Sequence, residues 1–278
     1  MLAYRHHFHA GNFADVFKHA LLVRLLDTIA AKDKPFFYLD THAGIGRYDL
    51  SHPWARKNAE FRDGIERLWG RSDLPALLAP YMAAVRAENP DGKLRFYPGS
   101  PLIARRAVRP GDRMVLSELN KTDVAELGAL FARDRQVTVH LMDGYQALKA
   151  QLPPQERRGL VLVDSSFDRA GELRRVAQAL ALAHERWATG ILALWYPLLE
   201  PAAMRGFERD VVATGVRKIL QLELWARPEG WAQTLRGCGM LFVNPPYRFD
   251  REAGEIVAWF AKALATDGGH RVRWLVPE

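Results

Sequence analysis

Four carboxylates stand where apolar runs of the chain give out: Asp40 after FFYL, Glu118 within RMVLSEL, Asp143 after VTVHLM and Asp164 after GLVLV. A carboxylate can accept both hydrogens of a ribose diol, or hold an exocyclic amine in place. Asp40 opens DTHAGIGRY, a turn whose Gly44 and Gly46 let a ligand approach the backbone closely. Glu118 suits the ribose diol, and Asp143-Gly144 would sit where an adenine amine is read. Asp164 leads through Ser165 and Ser166 to Phe167, an acid with an aromatic three residues on. Such a pair can orient a base amine and stack on its ring. Together the set describes a pocket for a nucleoside-bearing cofactor beside a place for a nucleobase. The G-x-G-x-x-G fingerprint of dinucleotide sites is absent, so S-adenosylmethionine fits better than NAD.

These acids can share one edge only if the runs before them are strands of one open sheet, because ligands bind beyond the carboxyl ends of such strands. The apolar pattern predicts strands over Phe36–Asp40, Arg113–Leu119, Val137–Asp143, Gly159–Asp164, Gly190–Tyr196, Lys218–Leu224, Gly239–Asn244 and Arg271–Val276. Helical patterns lie between them, as at Val124–Arg133, Glu172–Trp187 and Ala253–Ala265. The alternation is that of an α/β fold with a mostly parallel twisted sheet and helices on both faces. From Tyr48 to Gly99 no strand pattern is seen, only helical stretches and the turn signal Asn89-Pro90-Asp91-Gly92. Residues 48–98 are therefore expected to form a small helical insertion after the first strand, in a main domain of 1–47 and 99–278.

The 278 residues are 49% apolar, enough for a full core. One cysteine, Cys238, allows neither an intrachain disulfide nor a cysteine-based zinc site. The opening residues lack the apolar core of a signal peptide and no run reaches membrane-spanning length, so a cytoplasmic protein with no membrane contact is expected. A net charge of +7 and a pI of about 9.6 favour a polyanionic partner. No long basic tail is present, so any nucleic-acid surface must be assembled by the fold.

Asp-Pro-Pro-Tyr at the end of a buried strand is the signature of enzymes that methylate exocyclic amines of nucleobases. Here Asp164-Ser165-Ser166-Phe167 keeps the acid and an aromatic, while Asn244-Pro245-Pro246-Tyr247 keeps the prolines. The stretches YRHHFHAGNFADVFKHALL, YLDTHAGIGRY, FYPGSPLIAR, Asp143-Gly144, ATGILALWYP, ATGVRKILQLEL and WLVPE resemble the bacterial 23S ribosomal RNA (adenine-N6)-methyltransferase J family, from Met1 to Glu278. The resemblance implies a Rossmann-like methyltransferase domain, S-adenosylmethionine as methyl donor, one adenine of 23S rRNA as acceptor, and a monomer with no obligate protein partner. It also implies that His19, His42, Ser100, Glu118, Asp143, Gly144 and Asp164 hold the cofactor, with Gly44 from the glycine turn beside them. Tyr4 and Lys18 match positions near the site, and Tyr4, Arg5, His6 and Lys18 are expected to contact the substrate RNA.

Chain order selects Asp164, which follows the fourth strand after the ribose and adenine acids; Asn244 comes too late. The N6 lone pair of adenine is delocalised into the ring, so hydrogen bonds from the amine to Asp164 and to the Ser165 carbonyl would favour attack by positioning and electrostatics. Phe167 would stack on the flipped base. Two serines do not fix φ as prolines do, so the turn is expected to be less rigid. An active enzyme is favoured over a homologue that binds RNA and cofactor without turnover. His6, His7, His9, His19 and His42 leave a divalent-metal hydrolase as a further alternative, but no metal site is assigned.

Overall fold

A computed structural model describes residues 5–228, 234–265 and 267–278. Helix α1 (Phe13–Ala30) leads into strand β1 (Phe37–Asp40). Then come β2 (Arg47–Asp49), α2 (Pro53–Asn58), α3 (Ile65–Trp69), α4 (Ala79–Ala87) and β3 (Phe96–Pro98). The chain continues through α5 (Ser100–Ala107), β4 (Arg113–Glu118), α6 (Lys121–Leu130), β5 (Val137–Leu141), α7 (Gly144–Gln151), β6 (Gly159–Val163) and α8 (Glu172–Arg186). It ends with β7 (Ile191–Pro197), α9 (Pro201–Ala213), β8 (Ile219–Trp225), β9 (Gly237–Val243), α10 (Phe249–Ala263) and β10 (Gly269–Val276).

The main sheet is ordered β10-β8-β9-β7-β6-β1-β4-β5. From β7 to β5 every pairing is parallel, whereas β9, β8 and β10 join antiparallel. Side chains alternate across the strands as the period of two requires. Phe37, Leu39, Val161 and Val163 face Leu148, Leu180 and Phe207 of α7, α8 and α9. Tyr38, Met114, Leu116, Leu160 and Leu162 face the opposite layer, with Phe17 of α1, Ile103 of α5 and Phe260 of α10. Both faces of the inner parallel strands are covered, so β1 and β6 are buried along their length, whereas the edge strand β5 is partly exposed.

All eight expected strands form, with ends shifted by a few residues. The segment expected to be purely helical also holds a two-stranded antiparallel ribbon, β2 with β3, in which Tyr48 pairs with Tyr97. Three-residue strands are too short to show alternation, and Pro98 at the end of β3 disguises it further. The helix expected from Val124 starts at Lys121, because the Asn120 side chain accepts from Thr122 N at 3.0 Å and from Asp123 N at 3.4 Å and caps it there.

Candidate active site

The chain order reverses at β1, with β4 on one side and β6 on the other. A cleft of about 560 Å³ opens beyond the carboxyl ends of these strands, the usual place for a ligand in an open α/β sheet. Glu118, Asp143 and Asp164 line it, as do His6, Lys18, His19, His42, Gly44, Ser100, Ser165 and Phe167.

The fourth acid does not reach the cleft. Asp40 is fully buried, accepting hydrogen bonds from the Tyr38 hydroxyl at 3.0 Å, the His42 N–H at 3.3 Å and the Ser100 hydroxyl. Burial pushes its carboxyl up to about 6, against the pull of these donors. Asp40 therefore shapes the β1 loop. That loop turns through Gly44 and Gly46 at φ +60° and +81°, values that favour glycine. A Cβ on Gly44 would meet the Tyr48 hydroxyl at 2.3 Å.

Glu118 receives the Gly44 N–H at 2.9 Å on one oxygen and the Asn120 N–H at 2.7 Å on the other. Burial raises its carboxyl above the usual range. Asp143 uses Oδ1 to cap α7, accepting from Tyr145 N at 3.0 Å and Gln146 N at 3.2 Å, while Oδ2 lies 3.8 Å from Arg175. Gly144 is not part of the cleft wall. Its missing Cβ is explained within the chain, since one would meet the Thr41 carbonyl at 2.3 Å and the His42 ring at 2.7 Å. His42 shares a hydrogen bond of 2.8 Å with the Thr41 hydroxyl and stands edge-on to Tyr145. His19 bonds the Tyr97 hydroxyl at 2.8 Å, and burial followed by the neighbouring Lys18 charge holds its pKa well below the ordinary value.

Lys18 ties helix α1 to the turn after β6. Its ammonium donates to Asp15 at 2.8 Å and to Asp164 at 2.5 Å, with the lysine side chain only 5% exposed. Burial opposes its charge, but the two carboxylates outweigh that and raise its pKa. Asp15 in turn accepts the Gly11 N–H at 2.9 Å and bonds His6 Nε2 at 3.0 Å. Burial works against the Asp15 charge as well, yet His6 and Lys18 hold its carboxyl well below the usual range. After Asp164, Phe167 takes φ +53° and packs edge-on against Trp195, with ring centroids 5.6 Å apart. Asp164, Ser165, Ser166 and Phe167 all line the cleft.

The proline-containing stretch sits elsewhere. Because β9 runs antiparallel to β7, Asn244 lies beside the start of β7, at the opposite edge of the sheet. Its amide donates to the Ala188 and Gly190 carbonyls at 2.8 and 3.0 Å, and Tyr247 is 86% exposed.

The histidines expected near the N-terminus disperse onto separate partners, His6 on Asp15 and His9 on Glu60 at 2.9 Å. Among the described residues, no group of three or more His, Cys, Asp or Glu is placed to hold a metal ion. Tyr4 lies outside the described residues. Arg5 is not among the residues lining the cleft, but it pairs at 2.7 Å with Asp123, which is, and lies over the Trp54 ring. Asp15, Tyr145, Glu172 and Trp195 also line the cleft, although their sequence setting does not single them out. The nearest signal is the i, i+3 spacing of Asp15 and Lys18 on one helix.

A mostly parallel sheet that reverses at β1, with Glu118 ending β4 and the acid–aromatic turn Asp164–Phe167 following β6, is the architecture of a Rossmann-like methyltransferase. The model of the family described as ribosomal RNA large subunit methyltransferase D, RlmJ, matches residues 33–276, and the chain belongs to that family. It is 43% identical to ribosomal RNA large subunit methyltransferase J of Escherichia coli (strain K12) and 42% identical to the protein of that name from Haemophilus influenzae, in each case over all of both chains. The crystal structure of protein LPL1258 from Legionella pneumophila superposes with a TM-score of 0.89 at 35% identity, covering 96% of this chain and 98% of that one.

Proposed function

We propose that the chain transfers a methyl group from S-adenosylmethionine to the N6 amine of one adenine in 23S ribosomal RNA. The observation that carries this is the placement of Asp164, Ser165 and Phe167 on the cleft, next to the ribose-type and adenine-type acids. The printed names of the relatives, both methyltransferases of large-subunit ribosomal RNA, support the acceptor. Transfer to unmodified 23S rRNA tests it.

The donor set fits an adenosine-bearing cofactor, since Glu118 is a carboxylate on the cleft wall and Gly44 of the β1 loop lines the same wall. His19, His42, Ser100 and Asp143 complete this end of the site in the proposal, with Asp164 at its junction with the base, while Gly144, expected among them, stands off the cleft wall. S-adenosylmethionine supplies an electrophilic methyl group when bound. Everything else falls to the chain. Asp164 and the Ser165 carbonyl accept the amine hydrogens and aim the lone pair, and Phe167 holds the base by stacking. Lys18 fixes the Asp164 carboxylate from behind. Replacing Glu118 by alanine is expected to weaken cofactor binding by ~1–3 kcal/mol, through loss of the ribose acceptor. Calorimetry that gives the parent affinity would remove Glu118 from the pocket.

The RNA path in this proposal runs over the N-terminal segment and residues 48–98, which we treat as an insertion subdomain. Arg56, Lys57 and Arg62 are exposed there, and Trp54 is 40% exposed between Arg5, His7, Phe8 and His52. Lys18 is buried, so it serves the reacting end of the site and contacts no phosphate. RNA affinity is expected to fall steeply with salt, and Lys57→Ala to lower the log–log slope by about one if Lys57 meets a phosphate. A flat salt response contradicts this path. In this proposal the chain works as a monomer without an obligate protein partner. Among the described residues no helix is long and apolar enough to cross a membrane; the proposed cytoplasmic site of action follows from the proposed ribosomal RNA substrate.

A further inference from the structure

Ser165 and Ser166 stand where two prolines would fix the backbone, and their turn ends on Phe167 at φ +53°, a costly conformation for a bulky side chain. A turn of that kind persists only when its surroundings hold it. The Ser165 side chain is buried and its hydroxyl donates to Oε1 of Glu172, itself 4% exposed. The same oxygen accepts the Tyr145 hydroxyl at 2.5 Å, and Oε2 accepts Arg175 at 3.2 Å. Glu172 is the first residue of α8, a helix anchored in the core through Val176 and Leu180. An acid in the first turn of a helix ordinarily answers the helix dipole at the surface. This one is buried and surrounded by hydroxyl and guanidinium donors from three places in the chain.

We propose that Glu172 is a positioning residue, clamping the Ser165 hydroxyl so that Asp164 and the Ser165 carbonyl face the target amine, in place of the constraint that prolines would give. The inference rests on the proposed active site at Asp164. The clamp also joins the two halves of the cleft. Arg175 packs over the Tyr145 ring at 4.3 Å and lies 3.8 Å from Asp143, so one carboxylate links the amine-orienting turn to the loop after β5. A hydroxyl hydrogen bond can be removed without touching the backbone, which makes the clamp separable from the turn it holds.

Single-turnover methyl transfer to 23S rRNA lacking the modification, with cofactor affinity by calorimetry and the thermal midpoint measured alongside, tests the clamp. Ser165→Ala is expected to slow transfer about tenfold while cofactor affinity and midpoint stay near those of the parent. Glu172→Ala is expected to be at least as slow. The double variant should be no slower than Glu172→Ala alone, because both changes remove one interaction. Glu172→Gln keeps an acceptor for the hydroxyl and should stay within about threefold of the parent. Parent rate in Ser165→Ala, multiplied losses in the double variant, or Glu172→Gln as slow as Glu172→Ala would each overturn the clamp. If Asp164→Ala keeps the parent rate, the active-site proposal itself fails; if Asp164→Ala is inactive and Ser165→Ala is not, only the clamp does.

Discussion

Asp164→Ala is expected to lower methyl transfer at least about a hundredfold while leaving the protein folded. Removing one preorganised electrostatic contact from an active site typically costs 10²–10³ in rate. The carboxylate is the partner of Lys18 at 2.5 Å and, in the proposed site, also the acceptor for the target amine. Asp164→Asn keeps an acceptor and should fall between parent and alanine. Asn244→Gly is the matched control. Asn244 has φ +53°, which glycine adopts freely, and it lies at the far edge of the sheet. Its rate should stay within about twofold of the parent. The opposite ranking would mean that the proline-containing stretch is the working turn.

The second large effect is expected in stability. Lys18→Met removes the buried cation between Asp15 and Asp164, leaving Asp15 with its carboxylate 2% exposed. Breaking one partner of a buried ion pair typically costs 3–5 kcal/mol, because a charge is left uncompensated. Urea unfolding of parent and variant, compared at pH 7, measures the loss. Adding Asp15→Asn to Lys18→Met should recover part of it. The sign with pH follows from the depressed Asp15 carboxyl. Its stabilisation is present above the pKa of the unfolded state and is lost as pH falls through the folded one. The gap between parent and Lys18→Met should therefore narrow in acid. A variant as stable as the parent at pH 7 contradicts a buried, charged triad.

What could be read along the chain was what has a local cause. A carboxylate ends an apolar run sharply, so Glu118, Asp143 and Asp164 stood out, and the sheet then gathers them at one edge. Asp40 ends its run just as sharply but turns inward to Tyr38 and Ser100, and nothing local distinguishes the two outcomes. Asp143 is both a helix cap and a cleft residue, so the structural and functional explanations of a strand-end acid are compatible there. The β2–β3 ribbon escaped notice because three-residue strands carry no period. Tyr145 meets Glu172 across an intervening strand, and Asp15 is tied to the turn after β6 only through Lys18 and its distant partner Asp164, so the fold has to bring these together. Asn244-Pro245-Pro246-Tyr247 shows the converse, a good local match on the wrong edge of the sheet.

Labelled S-adenosylmethionine, incubated with the full chain and 23S rRNA lacking the modification, tests the central proposal most directly when the RNA is digested to nucleosides and the labelled position mapped. The expected result is label in N6-methyladenosine at a single site, absent with Asp164→Ala. No label above the Asp164→Ala level, or label on another base or another atom of adenine, would contradict it.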